Sequence, residues 1–280
     1  MIKEFKGKVA VVTGAAHGIG FSLSSAFAKR GMKVVLADID ENALIIAAQE
    51  LRKTSNDILW KVTDVSNSKQ VEELADFSYK HFENVNILCN NAGICHSAPL
   101  QQLSKKDWDW VFGVNFYGVI HGINSFINRM LESNAPCHIV NTSSINGLYF
   151  SDMAPYDVTK HAITSLSEVL SVELSETSVG VSVLCPAWVK TDLVKTTENL
   201  GKQQSEISVL TPEILKSFNL DRETLDNLFD SGMNPDIVAE LVIKAIQENI
   251  FYIVTHPENM QLVQKRFDKI LEDSMKLNQK

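Results

Sequence analysis

Tyr156 and Lys160 lie four residues apart in a stretch with helical patterning, so both side chains fall on one helix face. A free phenol titrates near 10 and is a poor base at neutral pH. An adjacent ammonium favours the phenolate and draws that value toward the working range, which suits the pair to giving or taking a proton. With five Tyr and 26 basic residues in the chain, the spacing alone says little. It gains weight from Ser144, which follows the apolar run His138–Thr142 and precedes Tyr156 by 12 residues. A serine hydroxyl there can hydrogen-bond an oxygen on which charge develops.

A second group of residues is suited to holding an anion. In Thr13-Gly14-Ala15-Ala16-His17-Gly18-Ile19-Gly20 the spacing is G-x3-G-x-G, after one apolar run and at the head of a helical pattern. Glycines serve there for a tight turn, for approach of backbone to a pyrophosphate and for close packing of helix on strand. The freed N–H groups of the helix N-terminus then face the anion. Asp38 ends the second apolar run, 18 residues beyond Gly20. A carboxylate at that place accepts from ribose hydroxyls and repels a 2′-phosphate, which predicts NAD over NADP. Asp40 competes for the role, and His17 is a counter-signal because its protonated ring would attract the extra phosphate.

The elements that must position these residues alternate in type. Val9–Val12, Lys33–Asp38, Ile58–Val62, Val85–Asn90, His138–Thr142 and Val181–Cys185 read as strands. Gly18–Arg30, Glu41–Lys53, Ser68–His81, Lys106–Leu131 and Tyr156–Glu176 read as helices, and Pro235–Asn249, Phe251–Thr255 and Pro257–Leu271 repeat the rhythm. Strands apolar on both faces and separated by helices imply a Rossmann-like, doubly wound parallel sheet with helices on both faces. No linker or repeat divides residues 1–280, so the expectation is a single domain with a helical insertion at 191–234.

Composition narrows the class. Apolar residues are 45% and charged residues 21%, which excludes disorder, collagen and a coiled coil. A net charge of −8 with only five Arg and no basic run excludes a nucleic-acid surface. No run reaches the roughly 18 apolar residues of a membrane span, and the Val9–Val12 run is too short for a secretion signal. Four scattered cysteines without a CxxC pair indicate a reducing, cytoplasmic setting, and no metal-ligand spacing occurs among the His.

On these motifs the chain resembles the roughly 250-residue branch of the short-chain dehydrogenase/reductase family. TGAAHGIG matches its TGxxxGxG turn, Asn90-Asn91-Ala92-Gly93 its NNAG signature and Tyr156–Lys160 its YxxxK. Asn115 matches the active-site Asn, Asp64-Val65 the adenine contact, and Pro186–Thr191 the PGxVxT stretch with Ala187 in place of Gly. The resemblance implies a nicotinamide dinucleotide held by Gly14, His17, Gly18, Ile19, Gly20, Asp38, Asp64, Val65, Asn91, Ala92, Gly93, Tyr156, Lys160, Val189 and Thr191. It implies catalysis by Ser144, Tyr156, Lys160 and Asn115, with Lys160 on the nicotinamide ribose and Asn115 placing a water. The family's serine usually precedes x-x-Gly, which fits Ser144 better than Ser143. Strand alternation sends these two hydroxyls to opposite faces.

The implied substrate is a small-molecule alcohol or ketone, and the implied assembly a homodimer or homotetramer. A catalytically silent dinucleotide sensor, or an epimerase on the same fold, is a competing function. Trp188 reads equally as a pocket wall or as packing, and His96 as a solvated loop residue. Leu193–Met233 carries Leu200, Ile207, Val209, Leu210, Ile214, Leu215, Phe218, Leu225, Leu228 and Phe229. That content suits either a cover over a lipophilic substrate or a helical hairpin packed on its own sheet or on a partner.

Overall fold

The computed structural model describes residues 1–205, 210–217 and 220–278. Seven strands form one sheet: β1 (Val9–Thr13), β2 (Lys33–Asp38), β3 (Ile58–Val62), β4 (Ile87–Asn90), β5 (Cys137–Thr142), β6 (Val179–Cys185) and β7 (Tyr252–Val254). Their order is β3-β2-β1-β4-β5-β6-β7, and every pairing is parallel. The chain winds outward from β1 to β3, then returns to place β4 on the other side of β1. The crevice at that switch point, beyond the carboxyl ends of β1 and β4, is where ligands bind in open α/β sheets.

Strand alternation divides the core into two layers. In β1, Ala10 and Val12 pack on one face with Leu23 and Phe27 of α1 (Gly18–Lys29), Leu44 of α2 (Glu41–Leu51) and Val242 of α10 (Pro235–Glu248). Val9 and Val11 pack on the other face with Leu74 of α3 (Ser68–Phe82), Phe126 of α5 (Gly118–Glu132) and Ile163 of α6 (Tyr156–Glu173). Both faces of β1 are buried, which is why its sequence is an unbroken apolar run rather than an alternating one.

The helix expected over Lys106–Leu131 is continuous but not uniform. It opens as α4 (Lys105–Val111), capped by Ser104 in a box with Asp107, and widens to π geometry over Phe112–Tyr117 before continuing as α5. Asn115 lies inside the widened turn. Between β6 and α10 the described part of the insertion is helical: α7 (Leu193–Gln204), α8 (Pro212–Ser217) and α9 (Arg222–Asp230). An isolated parallel bridge between Val189 and Met233 closes its base. Ile207, Val209 and Phe218 lie outside the described residues. The C-terminal helix α11 spans Met260–Asn278. Among the described residues no helix is long and apolar enough to cross a membrane.

Candidate active site

The turn between β1 and α1 is shaped by what its glycines leave out. Gly14 has φ +62°, and a Cβ there would lie 2.8 Å from the Ala92 Cα. A Cβ on Gly20 would sit 2.0 Å from the Gly14 carbonyl oxygen, so only glycine allows the helix to start this close to the strand. The loop after β4 is tied to the same strand end: Asn91 and Ala92 donate their N–H groups to Thr13 Oγ1 at 2.9 and 3.1 Å. Asn91 Nδ2 also donates to the Thr13 carbonyl at 3.0 Å. Asp38 is fixed beside the turn, its Oδ2 accepting from the Ala16 N–H at 3.1 Å.

These parts border one cleft of about 680 Å³. Gly14, His17, Gly18, Ile19 and Gly20 line it, as do Asp38, Asp64, Val65, Asn91, Ala92, Gly93 and Thr191. Tyr156 and Lys160 line it too. Val189 does not; its side chain is buried in the core layer of α1 and α10. The fit to a dinucleotide rests on this bare turn, its free helix N-terminus and the carboxylate at the end of β2.

The residues expected to transfer a proton lie where β5, α6 and the π turn converge. Ser144 lies just beyond β5; its Oγ donates to the Pro186 carbonyl at 3.4 Å and accepts from the Asn146 N–H at 3.2 Å, and the hydroxyl is near enough to the Tyr156 phenol to pull it downward. Ser143, not Ser144, is among the residues that line the cleft, but its Oγ is engaged 2.8 Å from both the Lys160 carbonyl oxygen and Thr164 Oγ1. Lys160 is 4% exposed, and its Nζ donates to the Thr142 carbonyl at 3.0 Å while lying 5.5 Å from the centre of the Tyr156 ring. A side chain on Gly93 would meet Asn115 Oδ1 at 3.4 Å and Lys160 Nζ at 3.5 Å, so the bare glycine lets both groups pack close against the loop after β4; Lys160 lines the cleft, while Asn115 is fully buried behind it.

Two expectations are corrected by this geometry. Lys160 was to bring the Tyr156 phenol down, yet burial pushes that phenol above its ordinary range; the Ser144 hydroxyl opposes the rise, while Cys95 and Asp157 add to it. Burial likewise pushes Lys160 down, to about 8, against a smaller upward pull from Cys185 and Cys95. Neither charged form is favoured by the protein alone, because the low-polarity wall penalises both. His96 is not solvated but fully buried, its Nε2 3.1 Å from the equally buried Asp107 Oδ1.

Asn115 is held by the loop after β4. Its Nδ2 donates to the Ile94 carbonyl at 3.0 Å and to Thr159 Oγ1 at 3.2 Å, and its Oδ1 accepts from the Ile94 N–H at 2.9 Å. The amide is therefore largely spent on fixing Ile94, with one Oδ1 lone pair left over. Trp188 is 38% exposed and meets Phe229 edge to face, joining the base of the insertion to α9. Ile94, Trp110 and Val114, which the sequence reading missed, also line the cleft, together with Leu193 and Leu200 of the insertion. Only Leu193 and Leu200 carried a signal, as apolar residues inside the insertion.

A crevice of this kind, at the switch point of a parallel sheet and with a Tyr–Lys face turned into it, defines a dinucleotide-binding oxidoreductase of the doubly wound class. The chain belongs to the short-chain dehydrogenases, whose family model matches residues 8–200. It is 31% identical to a CLA biosynthesis dehydrogenase/reductase of Lactiplantibacillus plantarum, over 97% of this chain and 96% of that protein. A C alpha-dehydrogenase of Sphingobium sp. is also 31% identical, over 97% of this chain and 88% of the other. The fold superposes with a TM-score of 0.89 on a short-chain dehydrogenase/reductase from Burkholderia phymatum solved with NAD. That pair is 39% identical, covering 98% of this chain and 97% of the other.

Proposed function

We propose that the chain is an NAD-dependent oxidoreductase interconverting a secondary alcohol and a ketone, with Tyr156 as general acid/base. What carries this is that Tyr156 and Lys160, one turn apart on α6, both line the cleft that begins on the glycine turn. Tyr156 takes the alcohol proton during oxidation and returns it during reduction. Ser144 bonds the same oxygen and steadies its partial charge. Lys160 and Thr191 hold the nicotinamide end, with Val189 contributing through its backbone, and Asn115 orders the loop behind them. A nicotinamide held there in its oxidised form would supply a hydride acceptor and a positive charge favouring the phenolate of Tyr156.

The preference for NAD rests on the carboxylates that line the cleft at and after β2 and β3, Asp38, Asp40 and Asp64; the lining lysines, Lys160 and Lys195, belong to α6 and α7. A 2′-phosphate beside Asp38 would be repelled by these carboxylates. The substrate end is walled by Ile94, Trp110, Val114, Leu193 and Leu200, which supports a lipophilic alcohol or ketone. In this reading residues 1–280 are one dinucleotide-binding domain and 191–234 are its substrate cover. An absorbance screen at the NADH band, with NAD and NADP separately over alicyclic, aromatic, steroid and polyol alcohols, tests it. Saturable NAD binding without reduction of NAD by any secondary alcohol would refute the enzymatic reading.

A further inference from the structure

We propose that His96, Asp107 and Ser205 form a positioning catch that seats α7 on the loop after β4 and thereby fixes the wall of the substrate end. The inference rests on the oxidoreductase reading for its kinetic consequence, but not for its structural one. Asp107 is preset by its own helix: its Oδ2 accepts from the Ser104 N–H at 2.9 Å and Ser104 Oγ at 2.7 Å, which completes the cap of α4. Its Oδ1 is left to accept from two other elements. One donor is His96 Nε2 at 3.1 Å, and the other is the Ser205 hydroxyl, which follows the last residue of α7. Ser205 Oγ is also 3.3 Å from His96 Nε2, so the three groups form one cluster.

The charge states suit such a catch. Burial lowers His96 despite the opposing pull of Asp107. For Asp107, burial raises the carboxyl, but the combined hydrogen bonds from Ser205 and Ser104 and the nearby His96 bring it below its ordinary value. A neutral imidazole donating from Nε2 to a carboxylate fits both directions. His96 Nδ1 is buried and has no hydrogen-bond partner among the described residues, so hydrogen bonding orients the ring through Nε2 alone.

A second pin lies about two turns earlier in α7. The Cys95 N–H donates to Thr197 Oγ1 at 3.1 Å, and Thr197 is fully buried. Thr197 and Ser205 are roughly 12 Å apart along a helix rising 1.5 Å per residue. Two pins at that separation fix both the position and the rotation of α7. The face they present to the cleft carries Leu193, Thr196, Leu200 and Gln204, spaced at three to four residues. The loop that receives the pins, Ile94 to His96, is the same one that Asn115 grips from the π turn. The cover and the residues behind the nicotinamide site therefore share one short piece of chain.

The test uses the full chain and two variants, Ser205→Ala and Ser205→Thr. Ser205 is partly buried at a helix end, and its backbone bond to Gly201 survives both changes. Trypsin sites at Lys195, Lys202, Lys216 and Arg222 report opening of the insertion without any substrate, read by mass spectrometry. Loss of a hydrogen bond to a buried carboxylate predicts cleavage there about tenfold faster in Ser205→Ala. Cleavage at Lys29 and Arg30 should stay at the wild-type rate, and Ser205→Thr, which keeps a hydroxyl, should restore protection. With the best alcohol of the screen, KM should rise about tenfold while NADH affinity stays within about twofold. Wild-type cleavage of Ser205→Ala, or faster cleavage spread equally over α1 and the insertion, overturns the catch. Should the screen find no alcohol, the oxidoreductase reading fails while the proteolysis result still decides the catch.

Discussion

Lys160→Met makes the cost of the proposed catalytic lysine measurable. The folded protein holds this ammonium at about 8 rather than its ordinary 10.5, because burial strips its water. At 1.36 kcal/mol per unit, that displacement corresponds to about 3 kcal/mol of stability withheld at neutral pH. Between about 8 and 10.5 the unfolded chain still carries the proton while the folded chain has released it. Unfolding then takes up a proton, so raising the pH through this window favours the folded state. Methionine has no such proton and fills similar volume, although it leaves the Thr142 carbonyl without its 3.0 Å donor, a loss of about 1 kcal/mol. Urea unfolding of both proteins at pH 7, 8, 9 and 10, at fixed ionic strength and without dinucleotide, reads the difference directly. The wild type should gain about 2–3 kcal/mol on the variant from pH 7 to pH 10, while the variant shows no turnover at any pH. A difference that stays flat across that range would refute the claim that burial depresses this lysine.

Tyr156→Phe removes only the phenolic oxygen, and kcat should fall at least about a thousandfold with NADH affinity by fluorescence within a few-fold of wild type. Asp38→Asn keeps the shape of the acceptor for the Ala16 N–H but removes its charge; the NADP-to-NAD ratio of kcat/KM should rise about tenfold or more, and an unchanged ratio would shift the specificity to Asp40 or Asp64. Gly20→Ala places a methyl 2.0 Å from the Gly14 carbonyl oxygen, so the turn must open; NADH binding by calorimetry should weaken at least about tenfold, with the melting temperature also lowered.

Local sequence determined what depends on neighbours in the chain. The apolar run of β1 with glycines behind it, the carboxylate ending β2 and the Tyr–Lys spacing on one helix face are each set within about twenty residues. Periodicity and glycine freedom act at that range, so the sheet, the turn and the shared face of Tyr156 and Lys160 were legible. The structure alone decided the rest. The direction of the Tyr156 and Lys160 shifts follows from burial by distant segments, which no spacing reveals. The π turn around Asn115 and the bonds that consume its amide depend on how α4 and α5 meet the loop after β4. His96 reads as one more loop histidine until Asp107, 11 residues on, and Ser205, 109 residues on, close around it. Hydrogen bonding and desolvation are set by contact in space, and contact between residues so far apart along the chain exists only once the core has packed.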